Sequence, residues 1–296
     1  MHDSHIHMAL SPLKENYLGD IQEFVENGGK KILVQSTESS DIQDTLDIVK
    51  DINISFPNIA DLALGLHPTI FTEAYERNTN IDIYMYGKKQ LDFLKEIFEK
   101  NKKDVKAIGE CGLDYFDINT YLNISEEEKE EIKEAQKISF RSHCKLAKEN
   151  NLALSIHSRD ISGSKECTKD VLEILASEGK GILKGAFHSY TGSIEMVDDI
   201  LDMGFYIGFN AIITYPSGDD VREILKKTPI ENILFETDGP FLPTQSIRKN
   251  KKASKKYGRP VLIKEIIEIA AAIKKISPES LEKQADINYL TLLGEI

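Results

Sequence analysis

The chain has 296 residues, 41% of them hydrophobic and 29% charged, with a formal net charge of −12. These are the fractions of a soluble globular protein; the length suits one α/β barrel, and no apolar run approaches the roughly 20 residues of a membrane span. The acidic balance argues against a protein that coats nucleic acid, because phosphate backbones select basic surfaces, yet it leaves room for an enzyme that handles phosphate at one local site.

The opening segment MHDSHIH sets Asp3, His5 and His7 at every second position, which on a strand places them on one face. Seven further apolar runs follow in order: Lys31–Ser36, Ile59–His67, Asp104–Glu110, Leu152–His157, Ile182–His188, Gly204–Phe209 and Ile233–Asp238. Amphipathic stretches separate them, including DIQDTLDIVKDI, QLDFLKEIFEK and a long SEEEKEEIKEAQKISFRSHCKLAKEN that opens with Ser125 before Glu128, a capping-box pattern. Phe71–Lys88 reads as a long insertion after strand three, expected to form a rim loop. A further helix is expected near Pro260–Lys275, and a short one closes the chain. Eight alternating βα units imply right-handed crossovers and a parallel sheet, and fit a closed (β/α)8 TIM barrel. No GxGxxG follows an early strand, which lowers a dinucleotide-binding alternative. No linker or composition shift divides residues 1–296, so one domain is expected. No basic region followed by an apolar core opens the chain, so no signal peptide is expected. Cys111, Cys144 and Cys167 share no CxxC spacing and read as free thiols in a reducing cytoplasm.

In such a barrel the active site forms at the C-terminal ends of the strands, and these strands end in ionisable residues. Strand one ends at His5 and His7, strand three at His67, strand four at Glu110, strand five at His157, strand six at His188 and strand eight at Asp238. Buried ionisable groups are costly unless paired or coordinated, so His5, His7, Glu110, His157, His188 and Asp238 are read as one metal site. Four imidazoles and two carboxylates are too many for one tetrahedral ion and suit two divalent ions sharing a carboxylate and a water. Nitrogen and oxygen donors favour Zn²⁺ or Mn²⁺ over Mg²⁺. His67 reads either as a contact to ligand or substrate or as loop structure. His143, inside the long helix, reads as a satisfied structural residue, and His2 as part of a loose terminus.

The motifs DSHIH, GLHP, IGECGLDYF, IHSRD, FHSYTG and FETDGPFL, in this order, resemble the signatures of the TatD family of metal-dependent hydrolases, within the amidohydrolase-like barrels. The resemblance runs from Asp3 to the C-terminal ADINYLTLLG. It implies hydrolysis of phosphodiester bonds in DNA from the 3′ end. By position it implies that His5 and His7 bind the first metal, Glu110 bridges, and His157 and His188 bind the second. Asp238 would complete the first site and take the proton of the attacking water. Asp3 is read as orienting a ligand histidine from behind. Two departures stand out: strand one looks abbreviated, and YGRPVLIKE places Gly258 or Arg259 where relatives commonly show Asn-x-Pro.

Two local features lean toward a phosphate substrate. Arg159, two residues past His157, either grips a phosphate oxygen or pairs with a loop carboxylate. Arg248, Lys249, Lys251, Lys252, Lys255, Lys256 and Arg259 form a basic stretch after strand eight, read either as neutralising a polyanion or as a solvated loop. Tyr115, Phe116, Tyr190 and Phe241 are aromatics on nearby loops, suited to stacking unpaired bases or to rim packing. The expected partner is a single-stranded DNA end, handled by a monomer away from membranes. The enzymatic alternative is ester or amide hydrolysis, such as a D-aminoacyl-tRNA deacylase. A histidinol-phosphatase-like barrel also opens with His-x-His but does not account for ETDGPFL, and a barrel keeping metal only for stability does not account for a complete ligand set.

Overall fold

A computed structural model describes residues 1–296. Eight parallel strands run β1 (His2–Ile6), β2 (Lys31–Gln35), β3 (Ala60–Leu64), β4 (Val105–Asp114), β5 (Ala153–Arg159), β6 (Lys184–Phe187), β7 (Tyr206–Phe209) and β8 (Ile233–Phe235), each paired to the next. The ring is completed between β8 and β1. The Asp238 N–H donates to His5 O (3.0 Å), the His7 N–H to Gly239 O (2.7 Å), and the Ser4 hydroxyl to Phe235 O (3.0 Å). The fold is a (β/α)8 barrel. With five residues and partners on both sides, β1 is as long as β2 and β3, so it is not abbreviated.

Crossovers are made by helices α1 (Tyr17–Glu26), α2 (Ile42–Ser55), α3 (Thr69–Arg77), α4 (Ile83–Asn101), α5 (Tyr115–Tyr121) and α6 (Glu126–Asn150), followed by α7 (Glu166–Gly179), α8 (Val197–Asp202) and α9 (Asp219–Lys227). After β8 come α10 (Gln245–Lys249), α11 (Ile263–Lys274) and α12 (Pro278–Leu293). The Ser125 hydroxyl caps α6 while the Glu128 carboxylate accepts the Ser125 N–H, the capping box read from sequence. Phe71–Lys88 is not a rim loop. Ile70, Phe71, Ala74 and Tyr75 form the buried stripe of α3, and the Asp82 carboxylate caps α4 through the Met85 N–H. A polar ERNTN stretch at the junction of α3 and α4 had the look of an insertion.

Strand alternation divides the apolar side chains between two cores. Ile32, Val34, Leu62, Leu64, Leu154 and Ile156 face outward against the helices. Leu33, Ala63, Ala107, Ala153, Ala186 and Leu234 face inward, where Tyr289 and Leu292 of α12 plug the lower end of the barrel. The inward face of β5 therefore reads Ala153, Ser155, His157, passing from apolar floor to polar mouth in three steps. On β4 the inward position above Ala107 is Glu110, past a register shift between Ile108 and Cys111. At Gly112 (φ +139°) a Cβ would lie 2.0 Å from His157 O, so only glycine lets β4 pass the backbone of that histidine.

Candidate metal centre

The strand ends converge on one buried carboxylate, Glu110. Its Oε2 lies 3.2 Å from His5 Nε2 and 3.3 Å from His7 Nε2. Its Oε1 lies 2.6 Å from His188 Nε2, 3.0 Å from His157 Nδ1 and 3.2 Å from His67 Nε2. The two oxygens of one carboxylate thus face two separate sets of imidazoles. Asp238 joins the Oε2 side, with Oδ1 3.5 Å from His7 Nε2 and 3.9 Å from His5 Nε2. It is delivered by a left-handed turn (φ +53°), a conformation uncommon for a residue with a Cβ and one that recurs at functional sites.

Every imidazole of the cluster except that of His7 has a polar group behind it. The Ser155 hydroxyl lies 2.9 Å from His5 Nδ1, and the His5 ring stacks on His188 with centroids 3.8 Å apart. Asp114 Oδ2 lies 2.8 Å from His157 Nε2, which leaves Nδ1 to face Glu110. Glu236 Oε1 lies 3.5 Å from His188 Nδ1, which leaves Nε2 to face Glu110. Asp114 and Glu236 therefore turn opposite ring nitrogens of two neighbouring histidines onto the same oxygen. His67 differs: its Nδ1 accepts the Thr69 N–H (3.2 Å), which leaves Nε2 to carry the ring proton, 3.2 Å from Glu110 Oε1.

Electrostatics show how frustrated this arrangement is as a hydrogen-bonded cluster. Burial together with the neighbouring His188 drives the His5 imidazole down to about 3. Burial lowers His7 too, but Asp238 and Glu110 outweigh it and hold that imidazole up at about 9. Burial would raise Glu110, yet the surrounding imidazoles, His188 foremost, pull it well below the usual carboxylate range. His5 Nε2 and His7 Nε2 sit 3.1 Å apart, and His7 Nδ1 and His188 Nδ1 have no hydrogen-bond partner though buried. Donors on one tetrahedral ion at about 2.1 Å stand roughly 3.4 Å apart, close to the spacings found here. The donor set fits divalent cations better than it fits protons.

Above the cluster lies a cavity of about 660 Å³, with Arg159 and Phe241 on its walls. Arg159 pairs with a loop carboxylate, its guanidinium 3.7 Å from Asp117 and stacked on Phe116 at 3.9 Å, and it also lines the cavity. Several expectations are corrected. Asp3 does not touch an imidazole ring; its carboxyl accepts from the Thr237 N–H and hydroxyl (2.9 and 2.5 Å) and from the His5 N–H, tying β1 to the segment after β8. Burial raises that carboxyl to about 7. Tyr115 and Tyr190 are buried and offer no stacking face, and Phe116 is covered by Arg159, which leaves Phe241. The basic stretch is partly committed: Lys255 and Arg259 pair with Asp20 and Glu23 of α1, and Arg248 stacks over Tyr215. His143 is structural as expected, its Nδ1 on Ser139 O and its Nε2 accepting the Leu66 N–H. His2 is not loose: its ring is buried against Asp286 and Tyr289.

A (β/α)8 barrel with imidazoles and carboxylates gathered at its C-terminal mouth defines a class of metal-dependent hydrolases. Residues 2–294 match the model of the TatD-related DNase family, and the chain belongs to that family. It is 29% identical over 283 residues to YabD of Bacillus subtilis, described as an uncharacterized metal-dependent hydrolase, covering 94% of this chain and 93% of the relative. An uncharacterized metal-dependent hydrolase of Buchnera aphidicola (subsp. Baizongia pistaciae) is 30% identical, covering 99% of this chain and 95% of the relative. Among solved structures, the TatD homolog YjjV of Escherichia coli K12 superposes with a TM-score of 0.76 at 22% identity, over 99% of this chain and 97% of that one. The protein is a metal-dependent hydrolase of the TatD family. No helix is long and apolar enough to cross a membrane.

Proposed function

We propose that the protein is a deoxyribonuclease that removes nucleotides from the 3′ ends of single-stranded DNA with two divalent ions, Zn²⁺, Mn²⁺ or Mg²⁺. The observation that carries this reading is Glu110, whose two oxygens each face their own group of nitrogens. His5, His7 and Asp238 would hold one ion, His157 and His188 the other, with Glu110 between them. Bound there, such ions supply Lewis acidity toward a phosphoryl oxygen and acidify an attacking water.

The chain's own groups supply the rest. Burial would raise the Asp238 carboxyl, but His7 and the other imidazoles hold it below its usual range, so it is ionised and ready to accept the proton of the attacking water. His67 Nε2–H, fixed as a donor by Thr69, is placed to hydrogen-bond the charge that develops on the departing oxygen, which takes its proton from a water. Arg159, stiffened by Phe116 beneath it, offers its planar fork to a non-bridging phosphate oxygen. All three cysteines are free and buried, in keeping with a reducing, cytoplasmic setting; residues 1–296 are read as one catalytic domain acting as a monomer.

One observation favours ester or amide hydrolysis as a second reading, such as deacylation of an aminoacyl-tRNA. Glu38, Glu73 and Asp117 line the cavity alongside a single basic side chain, Arg159. The two readings separate in one experiment: cleavage of a 3′-labelled single-stranded oligonucleotide against deacylation of an aminoacyl-RNA, before and after chelation. Oligonucleotide cleavage that is lost on chelation, returns with Mn²⁺ or Mg²⁺, and falls by about 10²–10⁴ in Asp238→Asn supports the nuclease. Deacylation without cleavage moves the substrate to the ester class.

A further inference from the structure

Phe241 is the one large apolar side chain in the cavity wall that stands exposed, at 52%. A lone exposed aromatic is ordinary on a mobile surface loop. This one sits on backbone that has been locked in place. The His7 N–H donates to Gly239 O (2.7 Å), the Gly258 N–H to Pro240 O (2.9 Å), and the Tyr215 hydroxyl to Pro243 O (2.7 Å). Asp238 and Leu242, on either side, both take left-handed conformations (φ +53° and +51°). Gly258 packs so closely that a Cβ there would lie 2.0 Å from Phe241 O. That contact accounts for glycine at this position of YGRP, the departure from Asn-x-Pro noted in the sequence.

The result is a rigid aromatic ring beside the cluster: its centroid is 6.0 Å from that of His7, with planes at 69°. Leu10, Ile212 and Leu242 make the surrounding wall apolar, whereas the Arg159 side of the cavity is polar. A nucleotide has the same division, with a flat apolar base at one end and an anionic phosphate at the other.

We propose that Phe241 is the platform on which the terminal nucleobase of a single-stranded end stacks, setting its phosphodiester over His7, Glu110 and Asp238. This deepens the nuclease reading and rests on it. Stacking on one ring is tolerant of base identity but needs a base free of its duplex neighbours, so the site prefers unpaired ends of any sequence.

The test compares KM for a single-stranded oligonucleotide ending in an ordinary 3′ nucleotide with one ending in an abasic residue, in wild type and Phe241→Ala. In the wild type, loss of the base raises KM roughly tenfold. In Phe241→Ala the intact oligonucleotide shows that raised KM and removing the base changes it no further. A variant that keeps the full base dependence, or a wild type that shows none, overturns the proposal. The chain contains no tryptophan, so Phe241→Trp installs a single reporter at the site. Its fluorescence is quenched by the intact oligonucleotide and unchanged by the abasic one or by inorganic phosphate; equal responses to all three contradict stacking. A wild type that cleaves no oligonucleotide instead removes the nuclease reading, and the quench then judges the platform separately.

Discussion

The two ends of the barrel bury the same kinds of side chain to opposite effect. At the lower end His2 Nδ1 lies 2.6 Å from Asp286 Oδ1, its ring stacks on Tyr289 at 4.6 Å, and Lys30 pairs with the other oxygen of Asp286. The Tyr289 hydroxyl donates to Asp61 Oδ2 (2.8 Å), which Lys31 also meets. Every charged group there meets a group of opposite sign or a hydrogen-bond donor. At the mouth, five imidazole nitrogens crowd onto the two oxygens of Glu110, and two buried ring nitrogens make no hydrogen bond, that of His188 facing Glu236 only at 3.5 Å. Matched pairs make a seal, whereas convergent lone pairs make a ligand site. Both ends draw on one strand, since β1 carries His2 below and His5 above.

Changes at the mouth should alter ligand binding, and changes at the base should alter stability. The largest effect is expected when the carboxylates behind the histidines are neutralised. Asp114→Asn and Glu236→Gln each lose the group that turns His157 Nδ1 or His188 Nε2 toward Glu110. Metal affinity measured by competition with a chromogenic chelator should fall about 10–100-fold while the melting temperature of the metal-free protein hardly moves. Unchanged affinity in both variants would mean that these carboxylates only fill space.

A smaller effect is expected at the other end. Asp286→Asn removes the charge shared by His2 and Lys30 and should cost about 1–3 kcal/mol in urea unfolding, with metal affinity unaltered. The pH dependence has a defined sign. Burial would raise the Asp286 carboxyl, but His2 and Lys30 outweigh it and hold it down at about 2. A depressed carboxylate contributes fully above its unfolded pKa of about 3.9 and loses that contribution as pH falls toward 2. The stability gap between wild type and Asp286→Asn should therefore be widest near neutrality and close between about pH 5 and 2. A gap independent of pH would contradict the pairing.

The same contrast explains what the sequence made legible. Alternation and strand-end chemistry reveal a barrel and place His5, His7, His67, Glu110, His157, His188 and Asp238 at its mouth, because strand ends are local features. Asp114 and Glu236 were missed although GLDYF and FETD display them. Glu236 stands two residues before the more prominent Asp238, and Asp114 lies beyond Gly112, whose backbone (φ +139°) breaks the alternation within β4. The pairing of His2 with Asp286 spans 284 residues, and those of Lys255 and Arg259 with Asp20 and Glu23 span more than 230, so no window of sequence shows them. The burial of Tyr115 and Tyr190 and the exposure of Phe241 are likewise set by packing between elements.

The measurement that bears most directly on the central claim is the metal stoichiometry of wild type and Glu110→Ala, by equilibrium dialysis against Zn²⁺ or Mn²⁺ followed by elemental analysis. A shared carboxylate predicts two ions per chain in the wild type and fewer than one in the variant. One ion or none in the wild type, or two retained without Glu110, would contradict it.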